Sequence, residues 1–258
     1  MKNIVILVAT HKSAQMPEDD IYLPIQVGAQ NNSVDLGFVK DDEGENISQK
    51  NPHYCELTAL YWAWKNLEAD YIGLTHYRRH FIMNHAGDKW SRVASREYIE
   101  SLLDSNDIIL PKPRNYYIET SYSQYVHAHH KEDLDYTRDI ISEKYPEYIS
   151  EYDKLMNSTK GHRFNMFIMK REYYDKYMEW LFDILFELEN RLDISSYSDY
   201  DKRVFGFVSE RLIDVWVQTN KYSYIELPVQ YMEKQNWIVK GGRFLKRKFI
   251  GKKEEGAT

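Results

Sequence analysis

A chain of 258 residues, 43% hydrophobic and 29% charged, has the make-up of a soluble globular protein and the length for a substantial core. Its formal net charge of −6 sets up no global positive field and argues against nucleic-acid binding. A single cysteine, Cys55, excludes an internal disulfide, and the first apolar run, Ile4 to Ala9, is too short for a signal-peptide core or a membrane span, so a cytoplasmic protein is expected.

Ile4 to Ala9 has the β-branched content of a buried first strand. "IYLPIQVG" (21–28) follows as a second strand that Pro24 restricts to an edge or a break. Residues 29–51 are polar and read as a long loop. Pro52 then suits a first helical turn, and Leu57, Leu60, Tyr61, Trp64 and Leu67 share one face of the helix after it. Tyr71 to Thr75 is the next strand, 95–103 a helix capped by Ser95, and 107–111 a strand ended by proline.

From 121 to 157 the pattern is helical and highly charged, interrupted at Pro146, as expected of an insertion. A strand over 162–170, a helix from Glu172 to about Asn190, a helix from about Lys202 to Thr219 and a last strand over 222–228 complete the series. This alternation predicts an α/β sheet covered on both faces, with ligands beyond the carboxyl ends of its strands. His11, His76 to Arg79 and Pro111 to Arg114 fall there. Residues 1–238 read as one domain. Residues 239–258 form a tail whose 239–253 stretch carries seven Lys or Arg with apolar residues between them, which suits either an anionic lipid surface or a solvated end.

Four constellations bear chemistry. "GLTHYRRHF" (73–81) sets His76, Tyr77, Arg78, Arg79 and His80 after a buried strand. Fixed cations there fit a departing diphosphate, and a salt-bridged corner is the alternative. "HAHHKEDLD" (127–135) offers His127, His129, His130, Glu132 and Asp133 for a metal, for substrate contacts or for a solvated face. "FGFVSERLIDVW" (205–216) places Glu210 and Asp214 one helical turn apart, as a general base or as surface charges. Asn46, Ser48, Asn51 and Glu56 lead into a helix N-terminus that exposes backbone N–H groups. Dinucleotide, Walker, nucleophile-elbow and paired-cysteine motifs are missing from the sequence.

"ATHK", "ENISQKNPHYCELTALYWAWKN", "YIGLTHYRRHF", "ILPKP", "YSQYVHAHHKEDLD" and "RVFGFVSERLIDVW" occur in this order over about Asn3 to Gln230. Together they resemble a bacterial domain family of capsular and exopolysaccharide gene clusters, long described as of unknown function and regarded as glycosyltransferases. The resemblance implies a GT-A-like, Rossmann-type mixed sheet flanked by helices. It also implies hexosyl transfer from a UDP-sugar, with galactopyranose or galactofuranose as the first guess. The acceptor would be a polyprenyl-diphosphate-linked saccharide, at the inner face of the plasma membrane, in capsule or O-antigen assembly. "RFNMFIMKREYY" (163–174) resembles the strand that borders the donor sugar in glycogenin-like enzymes, with Met166 and Phe167 departing from its small residues. "YIGLTHYRRHF" stands where such enzymes carry a metal-binding Asp-x-Asp.

On this resemblance Thr10 and His11 would meet the uridine, and His76, Arg78 and Arg79 would hold the diphosphate beside Tyr77. Asn46, Ser48 and Glu56 would line the substrate side, and Asn165 would touch the donor sugar. Glu210 would be the base, and His127, His130 and Asp133 would line the acceptor side. No resident cofactor is expected, with a divalent manganese or magnesium ion as the open alternative. A metal-dependent hydrolase built on His127, His129 and His130, or a non-catalytic scaffold of polysaccharide assembly, are the competing expectations.

Overall fold

In the computed structural model, which describes residues 2–83 and 86–233, the first apolar run is β1 (Ile4–Thr10), followed by β2 (Tyr22–Gln26) and β3 (Val39–Lys40). Next come α1 (Asn51–Tyr54), α2 (Leu57–Asn66), β4 (Tyr71–His76), β5 (Arg79–Phe81), α3 (Arg96–Leu103), β6 (Ile108–Pro111) and β7 (Arg114–Asn115). The helical stretch is α4 (Ser121–Val126), α5 (Lys131–Lys144) and α6 (Ile149–Asn157). It leads through β8 (Lys160–Gly161) to β9 (Phe167–Lys170), α7 (Arg171–Arg191), α8 (Val204–Thr219), β10 (Ile225–Leu227) and β11 (Val229–Tyr231).

The main sheet runs β10-β6-β9-β4-β1-β2-β3, with β5 folded back on β4 and β11 added to β5. Strands β1, β2, β3, β4, β6 and β10 share one direction, and β9 runs against its neighbours β4 and β6. The sheet is therefore mixed, as expected.

β1 alternates between two cores. Leu7 and Ala9 pack with Leu60, Ile72, Leu74 and Met169 beneath α2, α5, α7 and α8, whereas Ile4, Ile6 and Val8 meet Ile99, Leu103, Ile109 and Ile168 beside α3. Each fully buried aliphatic side chain of this kind contributes about 1.5–3 kcal/mol. Gly73 lets β4 and β9 meet closely, because a Cβ there would sit 2.8 Å from the Phe167 carbonyl oxygen. Among the described residues no helix is long and apolar enough to cross a membrane.

Several elements depart from expectation for physical reasons. Pro24 lies inside β2, but β3 pairs only with Ile25 and Gln26, so the outer side of Pro24 needs no donor. The helix expected from Pro52 onward breaks at Cys55, which takes φ 53° where Gly206 of α8 packs against it. The strand expected over 162–170 begins only at Phe167, since Phe164 and Asn165 both adopt positive φ. "YRRHF" is a tight hairpin, with His76 opposite Arg79, and the strand after 228 that pairs with it is not among the expected elements. The basic tail lies outside the described residues.

Candidate active site

Because β1, β4, β6 and β10 end on one edge of the sheet and β9 begins there, five chain segments converge on it. They are the turns after Thr10, His76, Pro111 and Leu227, and the Phe164–Asn165 corner. Two successive non-glycine residues with positive φ, 79° and 54°, hold that corner. Conformations of this kind cost of order 1–3 kcal/mol each and gather at functional sites.

His76 is 8% exposed, and its Nε2–H donates to the Phe164 carbonyl at 2.7 Å. Burial lowers its pKa, opposed by Glu56 and reinforced by Arg79 and Arg78, so the ring is neutral. Arg79 lies over Phe164, 4.3 Å from the ring centroid, and also faces Tyr231. Arg78 lies 5.2 Å from the buried Tyr77 ring. The Nε atom of each arginine is buried without a hydrogen-bond partner, and among the described residues neither guanidinium pairs with a carboxylate. Salt-bridging within the fold therefore does not account for this cluster.

Glu210 reaches the same place from α8. Burial raises its carboxyl pKa, Arg211 opposes the rise, and the neighbouring Glu56 adds to it. Its half-buried carboxylate makes no hydrogen bond or ion pair among the described residues. Arg203, which the sequence reading missed, stands close by. Its Nε–H donates to Cys55 Sγ at 3.1 Å and its planar head faces Phe207 at 5.3 Å. Burial pushes the Cys55 thiol up to about 12, so it is an inert neighbour.

Glu56 accepts from Asn165 Nδ2 at 2.7 Å. The second amide hydrogen of Asn165 goes to the Gly206 carbonyl, and its Oδ1 accepts from Ser209. With its amide fully occupied, Asn165 positions Glu56 and ties the corner to α8 instead of meeting a donor sugar. The only sequence signal for that clamp was the positive-φ tolerance of asparagine.

The remaining candidates separate by exposure. His11 is exposed, stands edge-on to Tyr77 at 5.6 Å, and has its pKa lowered by burial and by Arg78, Lys12 and Arg203. Thr10 is 1% exposed and turns its hydroxyl to the Lys12 carbonyl at 2.6 Å, so it shapes the turn. Asn46 donates to the carbonyls of Asp42 and Gly44, and buried Ser48 donates to Asp41. Asp41 in turn accepts from the backbone of Gly28 and Ala29, and the polar 29–51 segment folds round it. Asn46 and Ser48 are thus loop organisers, and Asp41 was not singled out from sequence.

The histidine cluster disperses. His127 meets Glu119 at 2.6 Å, His129 meets Asp201 at 3.0 Å, and His130 stacks on Tyr197 at 3.8 Å. Asp133, 1% exposed, accepts from Tyr125 and Tyr197 hydroxyls at 2.7 Å each and is closed off from an acceptor by its burial. Among the described residues no group of three or more His, Cys, Asp or Glu side chains is arranged to hold a metal ion.

A family model described as a domain of unknown function, DUF4422, matches residues 5–221, and the chain belongs to that family. No curated protein matches the chain. Among solved structures it is similar to the apo structure of the bifunctional glycosyltransferase WbbM, at 31% identity and a TM-score of 0.83. That likeness covers 90% of this chain and 46% of WbbM, so the chain spans about half the length of that protein. The mixed sheet with flanking helices is therefore the fold of a glycosyltransferase portion.

Proposed function

We propose that this chain is a glycosyltransferase that moves a hexosyl group from a UDP-sugar to a lipid-linked saccharide. The observation that carries the reading is that Arg78, Arg79 and Glu210 meet at one sheet edge and that, among the described residues, neither guanidinium is bonded to a carboxylate and the Glu210 carboxylate has no partner. An acceptor hydroxyl gives its proton to Glu210 as its oxygen bonds to the anomeric carbon. The bond from that carbon to the diphosphate breaks, and Arg78 and Arg79 take up the charge on the departing UDP. His76, neutral and anchored to Phe164, supports the hairpin that aims them. His11 and Tyr77 lie where a nucleoside would meet the turn after β1. A galactosyl donor, an acceptor on a polyprenyl diphosphate and use in capsule or O-antigen assembly belong to the same proposal. So does attraction of the 239–253 tail to anionic lipid at the inner face of the plasma membrane.

Placing the diphosphate on arginines makes a divalent ion dispensable. Saturating UDP is expected to raise the Tm of the full chain, by mass action, with or without EDTA. The Arg78→Ala, Arg79→Ala double variant is expected to fold and lose that shift. Absence of any UDP shift overturns the transferase reading. A shift that EDTA abolishes and manganese restores overturns the metal-free form of it.

A further inference from the structure

Beside β10, at the flank of the sheet, a cleft of about 290 Å³ opens between α6, α8 and the segment after β6. That volume is at the lower end of small-molecule sites, the scale of one sugar ring. Pro113, Leu155 and Tyr224 supply apolar wall, and His162, Asp214 and Glu226 the polar part. None of this is used by the chemistry above. The cleft is nonetheless joined to it, because Asp214 lies one helical turn beyond Glu210 on α8.

His162 is 3% exposed and held rigidly. Its backbone N–H donates to Asp214 Oδ2 at 2.8 Å, and its ring Nδ1–H donates to Oδ1 of the same carboxylate. With Nδ1 committed to Asp214, Nε2 is the ring's one remaining polar atom. That atom is buried with no hydrogen-bond partner, and it stands 3.3 Å from Glu226 Oε1, itself an acceptor. Two polar atoms side by side, not hydrogen-bonded to each other, call for neighbouring groups that can both donate and accept. Vicinal hydroxyls of a pyranose or furanose supply them.

The charges exclude a second phosphate site. Lys154 and Lys160 face Glu151, Asp214 and Glu226, two cations against three carboxylates, and Lys154 is already paired with Glu151 at 3.1 Å. Tyr224, steadied by Gln218 at 3.2 Å, adds an aromatic surface of the sort that packs on a sugar face. We propose that this cleft binds one neutral glycosyl unit of the acceptor. The word acceptor rests on the transferase reading; the sugar site itself does not.

The test is saturation-transfer NMR on the full chain with the methyl glycosides of galactose, glucose and mannose, in the presence of UDP. Transfer to at least one glycoside is expected. Its Kd should rise about tenfold or more in Glu226→Ala and in Tyr224→Ala, the loss of one good contact in each case, with UDP affinity and Tm unchanged. Glu226 is at the surface, which keeps the first variant folded. If transfer is followed directly, acceptor KM rises in both variants and donor KM does not. A folded, UDP-binding chain that binds no glycoside, or binds it equally well in both variants, overturns the cleft assignment and leaves the transferase reading standing. Glycoside binding that both variants weaken, in a chain without UDP affinity, upholds the cleft as a sugar site and overturns the transferase reading. Failure of both ligands overturns both.

Discussion

At the end of β4, Arg78 and Arg79 lie over aromatic rings, and among the described residues no carboxylate pairs with either; Glu210, near enough to feel the Arg79 charge, is unpaired there too. At the α4–α5 junction, where the sequence is as rich in histidine and acid, the buried groups are mated: His127 with the buried Glu119, His129 with Asp201, Asp133 with two tyrosines. Burying an unmatched charge is costly, so folds satisfy charges wherever structure is all that is at stake. On the transferase proposal the first region awaits a ligand, whereas the buried groups of the second are satisfied within the fold. Composition alone did not distinguish them.

The largest effect that would break this contrast is at Glu210. Glu210→Gln is expected to cut kcat by about 10²–10⁴-fold, the range of a lost general base, in a chain that still binds UDP. Its pKa is raised in the fold, so the folded state holds that proton more tightly than the unfolded chain. The resulting stabilisation is present below the unfolded pKa and lost as pH rises through the folded one. At neutral pH the ionised carboxylate therefore costs stability, and Glu210→Gln should melt at or above the wild-type temperature. For the same reason kcat/KM should climb with pH along an acid limb centred above the usual carboxylate range. A Gln variant that melts lower and keeps its rate would make Glu210 a structural residue.

Next in size are the arginines. Arg79→Ala and Arg78→Ala are each expected to lower kcat about 10²–10³-fold, as for removal of one fixed stabiliser of transition-state charge. Tm should hold, since no ion pair among the described residues is lost.

Asp133→Ala should do the reverse. It leaves two tyrosine hydroxyls without their acceptor, at about 1–3 kcal/mol each when buried. For a chain of this size Tm should then fall by roughly 5–15 °C. Activity per folded molecule should be unchanged. A loss of activity without a loss of Tm would return Asp133 to the acceptor side.

Much of this was legible in the sequence. The apolar runs of β1, β4 and β6, the Ser95 cap and the long helices follow from periodicity and capping chemistry, which are local. His76, Arg78, Arg79, Glu56 and Glu210 were legible by residue type and by position after a strand or on a helix face. What escaped is what only tertiary contact decides. The break at Cys55 comes from Gly206 packing against it, and the shortened β9 from the Phe164–Asn165 corner. Strand β11 is three residues whose role exists only because β5 folds back beside it. Arg203 and the His162–Asp214–Glu226 group are brought together from separate elements, with no spacing to announce them. Thr10, Ser48 and Asp133 looked like ligand contacts because they are polar, and burial shows that they hold loops and helices.

The smallest effect sharpens the comparison from inside the first region. Glu56 is held by Asn165 and places its charge on both Glu210 and His76. Glu56→Gln keeps an oxygen for the Asn165 amide but removes the charge. Without that like charge the Glu210 proton is held less tightly, so the acid limb of kcat/KM should move to lower pH. The plateau above it should change by less than about threefold, because the base is already ionised there. A collapse of the plateau with the limb unmoved would mean that Glu56 touches substrate itself, and the pair of carboxylates would then share the work now assigned to Glu210.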